Sequence, residues 1–442
     1  MFAAGGRRGW IIGTALVAAA LVATFILLAV NSQGSGRNNA ASSTSSQSPM
    51  ASRSPKPSLP TPITAPSSTP AYTSPASPSS ERPTQAPASS SPARVLASKK
   101  LAAMSLEQKV GQLLMVSTPV TGADANSLYA VDTLYVGNVF MKGRSEAGQA
   151  GIGAQVAAIS GHVSGSRTQG VRAFVATDQE GGFVQIMRGA GFAQIPQAIE
   201  QGQLPAKTLL ADATLWGQQL ASVGVNVNLA PVMDTVPSAA FAPQNAPIGA
   251  FGREYGFTPG AVSSSGVAFA KGMLAAGIDP TIKHFPGLGR VILNTDVSAG
   301  VVDNITTRND AFIGPFQDAV NAGVPWLMIS NASYPLIDPD AMAPFSSVIV
   351  HDMVRGDLGF KGIIVSDDIC DAVQVSAVPV RARGVGFIRA GGTMALCTNQ
   401  TLLPPMYAGM METARADPGF AKQIDAATLL VLQAKAAKGL ID

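Results

Sequence analysis

From about Arg94 to the C-terminus the chain repeats one pattern: a short continuous apolar run, a polar or glycine-rich stop, then an amphipathic stretch. Eight of the runs read as strands: GQLLMVS, YVGNVFM, RAFVATD, NVNLAPVMD, DPTIKHF, PWLMISN, GIIVSDD and TMALCTN. Between them, ATLWGQQLASVG, SSSGVAFAKGMLAAG and FIGPFQDAVNAG read as helices. Strands buried on both faces appear as unbroken hydrophobic runs, and their alternation with helices makes the sheet parallel. Eight such units predict an α/β fold, a TIM-type (β/α)8 barrel. A doubly wound open sheet is the competing architecture, because periodicity does not reveal whether the strands close.

Two different patterns precede the barrel. Arg7 and Arg8 lead into an uncharged apolar stretch from Trp10 to Val30. About 20 apolar residues span a bilayer, whereas a signal-peptide core runs to about 7–15. Residues 1–30 are therefore expected to be a cytoplasmic stub and an N-terminal transmembrane anchor. The flanking arginines stay inside and the rest of the chain faces out. A cleaved signal peptide is the alternative, and no cysteine follows that could carry a lipid. Residues 31–94 turn to Ser, Pro, Thr and Ala, a composition that cannot bury enough apolar surface to offset chain entropy, and are expected to form a disordered linker. Residues 95–442 make up the barrel domain.

Composition narrows the function. Only 13% of residues are charged and the net charge is +3, with no dense Lys/Arg block, so there is no electrostatic footprint for nucleic acid. The three histidines, His162, His284 and His351, have no zinc-ligand spacing, and neither a metal nor a cofactor is expected. Cys370 and Cys397 lie at the last two strand candidates, neighbours in a closed barrel. Outside the cytoplasm they could pair, with two buried thiols as the alternative.

In a barrel of this type the reactive groups sit where strands end. The polar residues closing the runs are Asp178, Asp234, Lys283 with His284, Asn331, and Asp367 with Asp368. Carboxylates and cations converging on one mouth suit a neutral substrate rich in hydroxyls, such as a sugar, and glycoside hydrolysis needs a pair of carboxyl-type groups. In GFKGIIVSDDI, Asp367 reads either as a nucleophile or as the cap of a following helix. In VATDQEGGFVQ, Asp178 and Glu180 precede two glycines that would let backbone approach a ligand. Lys283 beside His284 in TIKHFPG is a pair rarely buried without partners. Arg253, in APIGAFGREYG, reads as a ligand or as a surface charge.

Taken together, MSLEQKVGQLLMV, TDQEGG, NLAPVMD, KHFPGLG, PFQDAV and LGFKGIIVSDD resemble, in order and spacing, glycoside hydrolase family 3, in particular its single-domain β-N-acetylglucosaminidase branch. The resemblance implies a retaining, two-step mechanism on a carbohydrate substrate. It makes Asp367 the nucleophile and makes Asp178, Arg253, Lys283 and His284 the residues that hold the sugar. A monomer is expected, as is release of N-acetylglucosamine from peptidoglycan fragments on the wall side of the membrane. A glycan-binding barrel with impaired catalysis, or a β-glucosidase or phosphorylase of the same family, is the alternative. The branch usually carries an Asp-x-His dyad in the glycine-rich loop, where His is the acid/base. This chain has Asp296-Val297-Ser298, and a serine hydroxyl is far too basic for that task. Asp296 itself, Glu180 or Asp303 could supply the proton instead, or the substrate or a water could assist with slower turnover. Three further departures are Leu288 in place of a histidine, Ile186 in place of an arginine with Arg188 nearby, and Thr393 in place of an acidic residue.

Overall fold

A computed structural model describes residues 91–163 and 165–442. The expected anchor and nearly all of the expected linker lie outside the described residues. Among those described, no helix is long and apolar enough to cross a membrane. Helix α1 (Pro92–Ala103) begins at a Ser91 cap, slightly ahead of the expected domain boundary, and α2 (Leu106–Gln112) follows behind a capping box at Ser105.

All eight strand candidates are strands of one closed parallel barrel. They are β1 (Leu114–Pro119), β2 (Asn138–Lys142), β3 (Phe174–Thr177), β4 (Val227–Asn228), β5 (Asp279–Phe285), β6 (Trp326–Ile329), β7 (Ile363–Asp368) and β8 (Met394–Cys397). Each pairs with the next, and β8 closes onto β1. The closed ring excludes the open-sheet alternative. Most of these residues are buried, as continuous apolar runs demand. The regular fourth strand stops at Asn228, short of its run NVNLAPVMD, although single backbone bonds continue past it: Leu229 N–H to the Thr177 carbonyl, and the N–H groups of Thr281 and Lys283 to the carbonyls of Ala230 and Pro231. The three helical stretches lie in α5 (Ala206–Ser222), α6 (Pro259–Ala275) and α7 (Gly314–Asn321), numbered after α3 (Ala125–Asp132) and α4 (Gly148–His162). A helix at Val348–Asp357, then α8 (Val380–Arg389) and α9 (Leu403–Ala416), follow the last three strands, and α10 (Pro418–Ala437) ends the fold.

The two ends of the barrel differ. At the strand N-termini, Trp326 meets Phe174 edge-to-face with centroids 4.9 Å apart, and Trp326 Nε1 donates to Asp279. Helix α10 closes this end with the fully buried Lys435, whose Nζ donates to Gln112 Oε1 and the Gly137 carbonyl. Among the described residues no carboxylate faces that amine, and burial holds its pKa well below the ordinary lysine range.

At the other end the loops build a mouth. The long segment after β5 is fixed from two sides. A Cβ at Gly289 would lie 1.8 Å from the Thr235 carbonyl oxygen, so only glycine lets this loop press against the one after β4. On the far side, the carbonyls of Thr295 and Asp296 accept from the backbone N–H groups of Gln374 and Val373, each at 3.1 Å. Asp296 is thereby carried to the loop that follows β7.

Candidate active site

A cavity of about 350 Å³ opens at this mouth, lined among others by Asp178, Arg253, Lys283, His284, Asp296 and Asp367. All six residues singled out from the sequence therefore meet in one place, delivered by β3, β5, β7 and the loops after β4 and β5.

Lys283 is almost fully buried, and its ammonium lies 2.7 Å from Asp178 Oδ1 and 2.5 Å from Glu180 Oε1. Arg253 donates to both oxygens of the same Glu180, at 2.9 and 2.8 Å, and to the Pro247 carbonyl. Arg253 is thus a pocket residue and not a surface charge. Burial pushes the Glu180 carboxyl up, but Arg253 and Lys283 overcome it and hold the group at about 2. Burial also works against the Lys283 ammonium, yet Asp178 and Glu180 keep its pKa above the ordinary lysine value. These four residues form a charged row along one wall, with Asp178 the most exposed member.

His284 turns its Nδ1 to Asp234 Oδ2 at 2.7 Å. The other oxygen of Asp234 accepts from the backbone N–H groups of His284 and Leu288, at 3.2 and 2.8 Å. A carboxylate facing Nδ1 favours a proton on that nitrogen and fixes the ring, so Asp234 orients His284. Asp234 was visible as a strand-closing carboxylate, but its role as an orienting group needed the fold. The peptide bond between Lys283 and His284 is cis, and both side chains line the pocket.

Asp367 sits at the pocket floor near the end of β7. The next helical turn, Val373–Val375, begins behind Ala372 and α8 begins behind Pro379, so the helix-cap reading of Asp367 is excluded. Burial raises its carboxyl, the nearby His284 draws it down again, and the negative charges of Asp296 and Asp368 push it up, leaving it at about 6. Asp296 stands at the rim, exposed, and among the described residues its carboxylate accepts no hydrogen bond. Ser298 does not line the cavity.

The other acid candidates are disposed of by their bonds. Glu180 is locked as a carboxylate by two cations. Asp303 lines no part of this cavity, and its oxygens accept from the N–H groups of Ile305 and Thr306 and from the Thr306 hydroxyl. Of the three departures beyond the dyad, Ile186 and Leu288 do line the pocket, which makes that part of its wall apolar. Arg188 does not substitute for a cation at position 186, since its guanidinium turns to the carbonyls of Gln185 and Gly182. Thr393 lies at the opposite end of its strand, where its hydroxyl accepts from Arg355, so its change from an acidic residue concerns the barrel floor and not binding.

Several site features were not anticipated. Lys142, Asp371 and Thr398 also reach the mouth, with Lys142 Nζ donating to the Thr398 hydroxyl at 3.0 Å. Cys370 and Cys397 form a disulfide, which settles the two alternatives left open by the sequence. Among the described residues no cluster of His, Cys, Asp and Glu could hold a metal ion.

The family model for the glycosyl hydrolase family 3 N-terminal domain matches residues 105–433. A β-hexosaminidase of Stenotrophomonas maltophilia is 32% identical over 240 residues, covering 52% of this chain and 68% of its own. A solved structure of a β-N-acetylhexosaminidase from Beutenbergia cavernae is 48% identical, with a TM-score of 0.74, covering 75% of this chain and 98% of that one. A family 3 β-N-acetylglucosaminidase from a Paenibacillus species shares the fold at 23% identity, with a TM-score of 0.67, over 76% of this chain and 63% of that one.

Proposed function

This chain belongs to glycoside hydrolase family 3, and from the geometry of its site we propose that it is a β-N-acetylhexosaminidase releasing terminal β-linked N-acetylglucosamine. The observation that carries the reading is Asp367, a carboxylate at a pocket floor facing the charged row of Asp178, Arg253 and Lys283 and the oriented His284. Charged side chains bind hydroxyls strongly and hold the ring in one place over the nucleophile. The 32% and 48% identical relatives, both hexosaminidases by name, support the acetamido sugar.

In the proposed reaction an Asp367 oxygen attacks the anomeric carbon and the bond to the leaving-group oxygen breaks. The leaving oxygen takes a proton from Asp296, and a glycosyl ester of Asp367 remains. Water then attacks that carbon, giving its proton back to Asp296 and freeing both the sugar and Asp367. Two features support Asp296 as the acid and base. Among the described residues it is a rim carboxylate that accepts no hydrogen bond, and its charge is felt at Asp367.

The setting is proposed on separate grounds. A disulfide persists in oxidising compartments, and the apolar stretch from Trp10 to Val30 has the length of a membrane anchor. Together they support a tethered enzyme outside the cytoplasm, acting on glycan fragments of the wall.

The direct test is to quench the protein with acid during turnover of a nitrophenyl N-acetyl-β-glucosaminide and to map its peptides by mass. A peptide containing Asp367 and carrying one N-acetylglucosaminyl unit is expected. A labelled residue elsewhere, or turnover undiminished in Asp367→Ala, would overturn the assignment.

A further inference from the structure

The Asp367 carboxylate is held by very little of its own. Its Oδ1 accepts from the backbone N–H of Asp368 at 2.8 Å, so its position follows the position of that peptide. Asp368, by contrast, is pinned at every polar group. Its Oδ1 accepts from the N–H groups of Cys370 and Thr398, at 2.9 and 3.1 Å, and its Oδ2 accepts from the N–H of Asp371 and from the Thr398 hydroxyl. Its carbonyl accepts from Asn331 Nδ2 at 2.8 Å. The Asp368 side chain therefore ties the segment after β7 to the segment after β8. The Cys370–Cys397 bond ties the same two segments covalently, at the residue that donates to Asp368 and at the residue just before Thr398.

We propose that the Cys370–Cys397 disulfide and the Asp368 carboxylate form one clasp that positions the Asp367 carboxylate for attack, so that reducing the disulfide switches turnover down while the barrel stays folded. The inference rests on the hydrolase reading above. On reduction the S–S bond breaks and each sulfur becomes a thiol. The two electrons and two protons come from an added dithiol, which is itself oxidised to a disulfide. Without the covalent tie the ends of β7 and β8 are held by hydrogen bonds alone, such as Ile369 N–H to the Leu396 carbonyl, so the donors around Asp368 loosen. The fold has other supports here. Arg383 grips the carbonyls of Ile369 and Cys370, at 3.1 and 2.7 Å, and these bonds survive reduction. The sugar-holding residues lie on β3, β5 and the loop after β4, away from the clasp. The effect therefore falls on kcat and not on KM.

The chain has only these two cysteines, so a thiol reagent acts at one bond. The full-length protein is assayed with a nitrophenyl N-acetyl-β-glucosaminide, oxidised and after dithiothreitol, beside a Cys370→Ser/Cys397→Ser double variant, with circular dichroism as the check on folding. Misplacement of a reacting group by about 1 Å costs on the order of 10²-fold. A fall in kcat of at least about tenfold is expected in both disulfide-free forms, with KM within about twofold and full recovery on reoxidation of the wild type. An unchanged kcat in a folded, disulfide-free protein would overturn the clasp and leave the bond a purely structural one. A second readout needs no turnover: the titration midpoint of Asp367, followed by 13C NMR, shifts on reduction. If the oxidised protein hydrolyses nothing, the hydrolase reading fails, and this midpoint alone decides the clasp, an unmoved value overturning it.

Discussion

Asp367 is kept at some cost to the fold. Its carboxyl titrates at about 6 in the native protein against an ordinary 3.8. The native state therefore holds its proton over a range where the unfolded chain has lost it, and stability falls as pH rises from about 4 to 6. Asp367→Asn removes that penalty. The variant is expected to turn over no substrate yet to be about 1–3 kcal/mol more stable than wild type at pH 7, with the gain vanishing below about pH 4. Urea unfolding at the two pH values checks this, and equal stability at pH 7 would mean the carboxyl is not desolvated. The same group sets the acid limb of activity, since only the ionised form attacks. Part of its upward shift comes from the charge of Asp296, so Asp296→Asn is expected to move the acid limb for an activated glycoside to lower pH. Glu180 has the opposite sign. Held at about 2 against 4.5, it stabilises the protein fully above pH 4.5 and loses that contribution as pH falls toward 2. Glu180→Gln leaves Arg253 without a carboxylate partner and Lys283 with Asp178 alone, and a loss of about 3–5 kcal/mol is expected at pH 7 from thermal or urea unfolding.

At the scale of elements, the strands were legible because a parallel strand buried on both faces leaves an unbroken apolar run. NVNLAPVMD was the exception in length, since its regular strand ends at Asn228 and only single backbone bonds carry the run onward. The site residues were legible because a barrel strand presents its last polar residue to the mouth. Position in the run was enough to gather Asp178, Lys283, His284 and Asp367. Asp234's grip on His284 and the pairing of Arg253 with Glu180 join residues 50 and 73 positions apart, a relation that no local pattern carries. The glycine-rich loop after β5 yields its own prediction. Gly289→Ala would force the loop off the Thr235 carbonyl and displace Asp296. Activity on a glycan whose leaving group needs a proton is expected to fall by about 10-fold or more, while sugar binding by calorimetry changes little. Unchanged activity would free this loop from the mechanism.

On the scale of the whole molecule, one end of the barrel is for stability and the other for chemistry, with the sugar-holding row, the nucleophile and the rim acid brought from separate strands to one mouth. Ahead of the barrel, the apolar stretch from Trp10 to Val30 makes a separate prediction. The full chain is expected to sediment with membranes and to be extracted by detergent but not by salt, and a chain recovered in the soluble fraction would refute the anchor. The central claim is that Asp367 attacks while Asp296 moves the proton, and it is tested most directly by Asp296→Ala in the full chain on two N-acetyl-β-glucosaminides. One carries a nitrophenol, which leaves with little protonation, and the other carries a second sugar, which needs a proton to leave. The variant is expected to lose about 10²- to 10⁴-fold in kcat/KM on the sugar leaving group and far less on the nitrophenyl glycoside. Added azide, which attacks the glycosyl ester without a base, is expected to restore nitrophenol release. Equal losses on both substrates, or no loss on either, would contradict the account and place the proton on another group.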